Sequence, residues 1–243
     1  MKRALLKVAN AFLRPLGARI SRADNFDMES ALRWIADQRG QVGTVIDIGA
    51  STGRWSAMAM PFFPQARFIG IDPLKEREPA LLQLKSRVPR FDYVLAAACA
   101  VPETTVELAV TADLDGSTVS GEGGALRSVP AYSVDRVIEM KACNGPYVLK
   151  FDTHGFEVPI LAGAALALDQ TEYIVMEVYN FRHTEGTLLF YEMCALLDSK
   201  GFRCLQVVDL LRRPIDNALW QMDVVFARKD HQAFRENTYL RAS

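Results

Sequence analysis

The segment Thr44-Val-Ile-Asp-Ile-Gly-Ala-Ser-Thr-Gly53 constrains the fold more than any other stretch of the chain. A largely apolar run ends in a turn of small residues, Gly49, Ala50 and Ser51, and passes directly into a helical pattern that begins near Trp55. Glycine at 49 and 53 lets the main chain turn tightly and approach a ligand without a Cβ clash. The helix that follows offers unpaired N–H groups. Such a strand–turn–helix is the nucleotide-binding unit of parallel α/β domains. Twenty-three residues after Gly49, the strand Arg67-Phe-Ile-Gly-Ile-Asp72 ends in a carboxylate followed by Pro73. An acid at that spacing suits a ribose, accepting both hydroxyl protons. An aspartate before a proline is more often a helix cap; the glycine turn upstream reverses that preference.

Three ligands compete for this turn. A dinucleotide needs glycine at the middle position so that its pyrophosphate can approach, and Ser51 stands there instead. Gly49-Ala-Ser51-Thr-Gly53 also has the form of a G-x-S-x-G nucleophile elbow, with His183 or His231 as the base, but an elbow normally follows several strands and an upstream oxyanion loop. S-adenosylmethionine fits best, since it has no pyrophosphate and needs only the turn, a ribose acid and an apolar adenine slot. Asp47 is expected to face the ammonium of its methionine part. Ile71, Leu74 and the Ala97–Ala98 turn are expected to form the slot.

The rest of the chain follows an α/β pattern. Apolar runs at Thr44–Gly49, Arg67–Asp72, Tyr93–Ala98, Tyr147–Asp152, Tyr173–Val178, Phe202–Val208 and Met222–Ala227 read as strands covered on both faces, hence a mostly parallel sheet. Helices are expected at Met28–Gln38, Trp55–Phe62, Lys75–Arg87, Val158–Leu168 and Leu188–Lys200. Alternating stretches at Thr105–Thr111 and Arg127–Tyr132, joined by a loop with Gly116, Gly121, Gly123 and Gly124, read as an inserted β-hairpin and a candidate mobile lid. Residues 1–23 carry Lys2, Arg3, Lys7, Arg14, Arg19 and Arg22 with no acid before Asp24. Their apolar residues fall at helical spacing, which suits a helix packed on the domain or one attached to an anionic membrane surface. The expected organisation is a basic helical segment over 1–40, one catalytic domain over 41–230 and a tail over 231–243.

Composition narrows the function. With 28 basic and 29 acidic residues there is no global footprint for nucleic acid. Cys99, Cys143, Cys194 and Cys204 are scattered without a metal or disulfide spacing, and no run approaches the ~18 apolar residues of a membrane span. A cytoplasmic location is expected, with contact at the inner face of the membrane through residues 1–23 as the variant.

Several segments in order resemble the FkbM family of S-adenosylmethionine-dependent methyltransferases. They are Val45-Ile-Asp-Ile-Gly-Ala50, Ser133-Val-Asp135, Tyr147-Val-Leu-Lys-Phe-Asp-Thr-His-Gly-Phe-Glu157 with Leu161 and Gly163, Val175-Met-Glu177, and the closing Leu219-Trp-Gln-Met-Asp-Val-Val-Phe226. The resemblance covers roughly residues 42 to 227. It implies a class I methyltransferase (Rossmann-like) fold with a seven-stranded sheet whose last strand is antiparallel. It also implies O-methylation of sugars, polyketides or related secondary metabolites. Many members carry Asp-Val-Glu-Gly or Asp-Val-Gln-Gly where this chain has Asp152-Thr-His-Gly155, so a histidine stands beside the expected reaction site.

Asp152 ends one expected strand and Glu177 nearly ends the next, so a parallel sheet brings both to the carboxyl edge that holds the glycine turn. Methyl transfer to a hydroxyl needs the acceptor oxygen held near the methyl group and a route for its proton. His154, on the turn after Asp152, has a suitable pKa and is the candidate base. Taken singly, each residue has a plainer role, as helix cap, turn histidine or interstrand hydrogen bond. The same three are adequate ligands for Mg²⁺ or Mn²⁺, a less favoured reading. Tyr179 and Trp220 are candidates for a sugar platform, although large aromatics more often pack in the core. A non-catalytic glycan- or membrane-binding protein with the same fold is the alternative to a methyltransferase acting on a small molecule or glycan.

Overall fold

The computed structural model describes residues 26–38, 40–119 and 124–239, together with Phe12 and Pro15. The expected basic helix over residues 1–23, and the loop around Gly121 and Gly123, therefore lie outside or largely outside the described residues. Seven strands form one sheet: β1 (Thr44–Ile48), β2 (Arg67–Asp72), β3 (Phe91–Leu95), β7 (Tyr147–Phe151), β8 (Thr171–Tyr179), β9 (Phe202–Arg212) and β10 (Leu219–Arg228). Their order across the sheet is β3-β2-β1-β7-β8-β10-β9, and every pairing is parallel except the two made by β10. The burial strings explain the continuous apolar runs: β1 and β7 are buried at every position because helices cover both faces. Those helices are α1 (Met28–Asp37), α2 (Arg54–Ala59), α3 (Glu78–Arg87), α4 (Val134–Lys141), α5 (Glu157–Ala162), α6 (Ala165–Asp169) and α7 (Phe190–Ser199). Two apolar layers result, one built around Ile46, Leu149 and Phe151, the other around Val45, Phe68 and Val148.

Three expected elements differ. The run Tyr93–Ala98 is not one strand. Leu95 is the last residue that pairs with β2, which ends at Asp72 just before Pro73, so the chain leaves the sheet and Ala97–Ala98 (β4) pairs with Ala131 and Tyr132. The inserted hairpin, β5 (Glu103–Val110) with β6 (Ala125–Tyr132), thereby becomes a three-stranded sheet anchored on the cavity wall. The helix expected over 158–168 breaks at Gly163, where a Cβ would sit 2.1 Å from the Cys99 carbonyl oxygen. Its second half, α6, starts on the carboxylate of Asp135, which accepts from the N–H groups of Leu166 (3.0 Å) and Ala167 (2.8 Å). Helix α4 was not expected at all. It is eight residues long, capped by Ser133, whose hydroxyl oxygen accepts from the Arg136 N–H at 3.1 Å.

Candidate active site

The carboxyl ends of β1, β2, β7 and β8 surround a cavity of about 270 Å³. At its first end β1 runs into Gly49, with φ of +83°, and the N–H groups of Gly49 and Ala50 donate to the Ile71 carbonyl. A side chain at 49 is ruled out by more than φ, because a Cβ would lie 1.9 Å from the Asp152 carbonyl oxygen. The cofactor turn and the Asp152 turn are thus in backbone contact, reinforced by the Asp152 N–H donating to Ile48 at 2.9 Å.

Asp72 stands on the cavity wall and is held by two backbone donors, Ser51 N–H at 2.8 Å and Leu74 N–H at 2.9 Å. Each carboxylate oxygen keeps a further lone pair for a ligand hydroxyl. Burial pushes its pKa up to about 6 against those two amides and the charge of Arg77. Gly49, Ser51, Pro73, Ala97 and Ala98 also line the cavity, as do Ile71 and Leu74. An acid with free lone pairs, a Cβ-free turn and an apolar slot of this kind suit the ribose and adenine of S-adenosylmethionine.

Asp47, Ala50 and Gly53 are not on the wall, which corrects the expected placement of three cofactor contacts. Successive side chains of a strand point to opposite faces, so with Ile46 and Ile48 on one side, Asp47 turns under α2. There it accepts from the Ser56 hydroxyl at 2.6 Å, and burial raises its pKa in spite of nearby Lys150. Ala50 is buried against Gly70. Gly53, at φ +77°, is the N-cap of α2 and faces Leu84 of α3.

Asp152, His154 and Glu177 come together at the other end of the same cavity. The His154 backbone is left-handed, φ +53°, and Gly155 continues the turn at φ +102°. Glu157 holds this turn from below, its Oε1 accepting from Gly155 N–H (3.0 Å) and the Thr153 hydroxyl (3.1 Å). His154 Nδ1 lies 2.8 Å from the Tyr179 hydroxyl and 3.3 Å from Glu177 Oε1. The Tyr179 hydroxyl donates its one proton to Glu177, so in the neutral ring Nδ1 is the N–H that donates to the Tyr179 oxygen. Nε2 therefore carries the lone pair, on the side of Asp152 Oδ1 at 3.9 Å. Burial by itself would lower the imidazole pKa. The hydrogen bond that the ring donates to Glu177 and the charges of Asp152, Glu177 and Glu157 outweigh it, and the net shift is upward.

Ligand atoms of Asp152, His154 and Glu177 all lie within 4.8 Å of one another, near enough for a cation. The donor set is nonetheless spoken for. Lys150 donates to Asp152 Oδ2 at 2.9 Å, Tyr179 occupies Glu177 Oε1, and the Gln221 side-chain amide donates to Oε2. The Lys150 ammonium on one carboxylate and the donors on both oxygens of the other weaken the cluster as a cation site.

Four functional residues were not foreseen from sequence in these roles. Lys150, 2% exposed, sits among Asp152, Asp223 and Asp47, and those carboxylates raise its pKa against burial. Tyr179, expected as a platform, is instead the link between His154 and Glu177, while Gln221 fixes the far oxygen of Glu177. Arg77 lines the cavity and pairs with Asp115, joining the cavity wall to the inserted loop. Trp220 does not line the cavity; it stacks on Phe181 at 5.3 Å. His183 packs at a tilt on Tyr179, ring centroids 4.1 Å apart, and His231 bonds Tyr173 near the start of β8, at the opposite edge from Ser51. Among the described residues no hydrogen bond joins the Ser51 hydroxyl to a histidine.

A family model for the methyltransferase FkbM domain matches residues 47–204. The chain belongs to the FkbM methyltransferase family. No curated protein matches it at the sequence level. Among solved structures it is similar to methyltransferase FkbM from Methylobacillus flagellatus KT, at 16% identity and a TM-score of 0.50. That match covers 76% of this chain, which spans only 44% of the other. It is also similar to a Burkholderia thailandensis 1,6-didemethyltoxoflavin-N1-methyltransferase with bound S-adenosylhomocysteine (14% identity, TM-score 0.46, 82% and 77% of the two chains). A magnesium protoporphyrin IX methyltransferase from Synechocystis PCC 6803 with bound S-adenosylmethionine aligns at 10% identity, TM-score 0.45, over 82% and 77% of the chains. The strand order and the antiparallel β10 give this FkbM family member the class I methyltransferase fold. Among the described residues no helix is long and apolar enough to cross a membrane.

Proposed function

We propose that this FkbM family member is an S-adenosylmethionine-dependent O-methyltransferase acting on a hydroxyl of a sugar, glycan or secondary metabolite. The observation that carries the reading is the orientation of His154 on the wall of the cavity that also holds Asp72. Asp72 and the Gly49 turn would bind the nucleoside, with Ala97, Ala98, Ile71 and Leu74 around the adenine. When bound there, S-adenosylmethionine supplies an electrophilic methyl group. Glu177, through Tyr179, fixes the ring tautomer so that the Nε2 lone pair is free to take the acceptor's hydroxyl proton, and Asp152 stabilises the imidazolium that results. Because the same groups raise the imidazole pKa, the base is deprotonated only above the ordinary ~6.5 of histidine. Turnover is expected to rise with pH through a midpoint higher than that value.

The test is His154→Ala in a methyl-transfer assay with a labelled methyl group and a panel of glycosides as acceptors. Turnover should fall by ~10²–10⁴ with S-adenosylmethionine affinity nearly unchanged. Near-normal turnover in His154→Ala, or loss of wild-type turnover on chelation, would remove the base role.

A further inference from the structure

The cavity wall holds a buried donor that the protein itself leaves without a hydrogen bond. Arg77 lines the cavity with Asp72 and Leu74, and among the described residues its Nε–H is buried and meets no acceptor. Trp55, His183 and Asp223 also bury an unbonded polar atom, but none of the three lines this cavity. The local chain path puts Arg77 there. After β2 ends, the Arg77 N–H donates to the Leu74 carbonyl at 2.9 Å, and the turn so closed makes Arg77 the N-cap of α3. From that position the side chain, 18% exposed, reaches out to Asp115, which is 78% exposed and bonds the Nη2 end of the guanidinium. One end of the group therefore meets a carboxylate at the rim, while Nε is shut away from water. A guanidinium has donors only, fixed in one plane, so holding Asp115 also fixes the direction of the Nε–H. A buried donor with no partner is costly, and an acceptor brought by a ligand recovers that cost.

We propose that Arg77 donates its Nε–H to the adenosyl group of the cofactor, at an adenine ring nitrogen or a ribose oxygen, so that a donor and the Asp72 acceptor hold the nucleoside together. The inference rests on the S-adenosylmethionine reading of the cavity. The neighbours of Arg77 favour the nucleoside over the amino-acid end of that ligand. Arg77 follows Leu74 and its partner Asp115 follows Leu114; both leucines belong to one apolar cluster with Ala97 and Leu108, and all four line the cavity. An apolar wall with a single aimed N–H suits a flat base whose edge carries lone pairs. Asp72 feels the charge of Arg77, which places the two groups within reach of one nucleoside, yet the Asp72 oxygens accept from Ser51 and Leu74.

Arg77→Lys separates the donor from the charge, because lysine has a methylene where arginine has Nε and still carries a cation toward Asp115. The probes for titration calorimetry of the full chain are S-adenosylhomocysteine and 5′-methylthioadenosine, which keeps the adenosyl group but lacks the amino-acid carboxylate. Arg77→Lys is expected to weaken both by ~tenfold or more at a near wild-type melting temperature. Asp115→Asn, which leaves Nε in place, is expected to lose less. Should Arg77→Lys fold poorly, the wild type itself supplies the readout: its Arg77 Nε–H resonance is expected to shift and to gain protection from solvent exchange when 5′-methylthioadenosine binds. Equal affinity for both probes in a folded Arg77→Lys variant, or an Nε–H resonance that binding leaves unmoved, overturns the proposal and leaves the cofactor reading standing. A loss confined to S-adenosylhomocysteine also overturns it, placing Arg77 on the amino-acid carboxylate instead. Wild type that binds neither probe overturns both.

Discussion

Lys150→Met isolates the electrostatic centre beneath the active site. Methionine keeps the length and apolar stem of lysine but removes the ammonium, which is buried, bonds Asp152 Oδ2 at 2.9 Å and is attracted to Asp223 and Asp47. Removing one partner of a buried ion pair costs ~3–5 kcal/mol, because the remaining charges have neither water nor a counter-ion. For a domain of this size each kcal/mol moves the melting temperature by about 2–4 °C, so a drop of ~6–20 °C is expected near neutral pH. The pH dependence follows from the acids. The raised pKa of Lys150 keeps its contribution whole below ~10.5, outside the working window. Burial raises Asp47, and raises Asp223 to about 7, so both take up protons as the pH falls and no longer need the cation. Asp152 is lowered, Lys150 and His154 outweighing its burial, and protonates last. The deficit of Lys150→Met should therefore be largest at about pH 8 and shrink toward about pH 4, as read by thermal melts followed by circular dichroism. A melting temperature within ~2 °C of wild type at about pH 8, or a deficit independent of pH, refutes this electrostatic account.

Two further outcomes follow from the same region. Gly49→Ala places a Cβ 1.9 Å from the Asp152 carbonyl at φ +83°, so the two turns must separate; a loss of ~3 kcal/mol or more in urea titrations is expected, and wild-type stability would show that the turns are not in contact. Asp223, whose buried Oδ1 has no hydrogen-bond partner, has a folded pKa above its unfolded value, so it favours the fold most at low pH and loses that contribution as pH rises from ~4 to about 7. Asp223→Asn should thus raise stability by on the order of 1–3 kcal/mol near pH 8 and by little near pH 4, a difference that equal urea midpoints at both pH values would contradict.

The parallel sheet was legible because β1 and β7 are buried on both faces and read as unbroken apolar runs. The glycine turn, Asp72 and the meeting of Asp152, His154 and Glu177 at one edge followed from strand ends alone. What escaped depended on facing direction and distant partners. Asp47 looked like a ligand residue because strand-end position does not reveal which face a side chain takes, and one residue of alternation buries it with Ser56. Lys150 gave no signal of its own in the sequence, because its role depends on three carboxylates brought around it from β1, β10 and its own turn. The roles of Asp135 and Gly163 were invisible as local signals, since each is defined by a contact more than 30 residues away: Asp135 caps α6, and Gly163 makes room for the Cys99 carbonyl. An alternation of β5 and β6 announced the hairpin, while the pairing of β4 with it depended on where β2 stops.

Titration calorimetry of the full chain with S-adenosylhomocysteine, for wild type and Asp72→Ala, tests the central claim most directly. The account expects one site per chain, protection of the wild type against thermal unfolding, and affinity at least ~tenfold weaker without the Asp72 carboxylate, whose hydrogen bonds to the ribose are worth ~1.5–3 kcal/mol each. No heat and no thermal protection with wild type, or equal affinity in a folded Asp72→Ala variant, would contradict it.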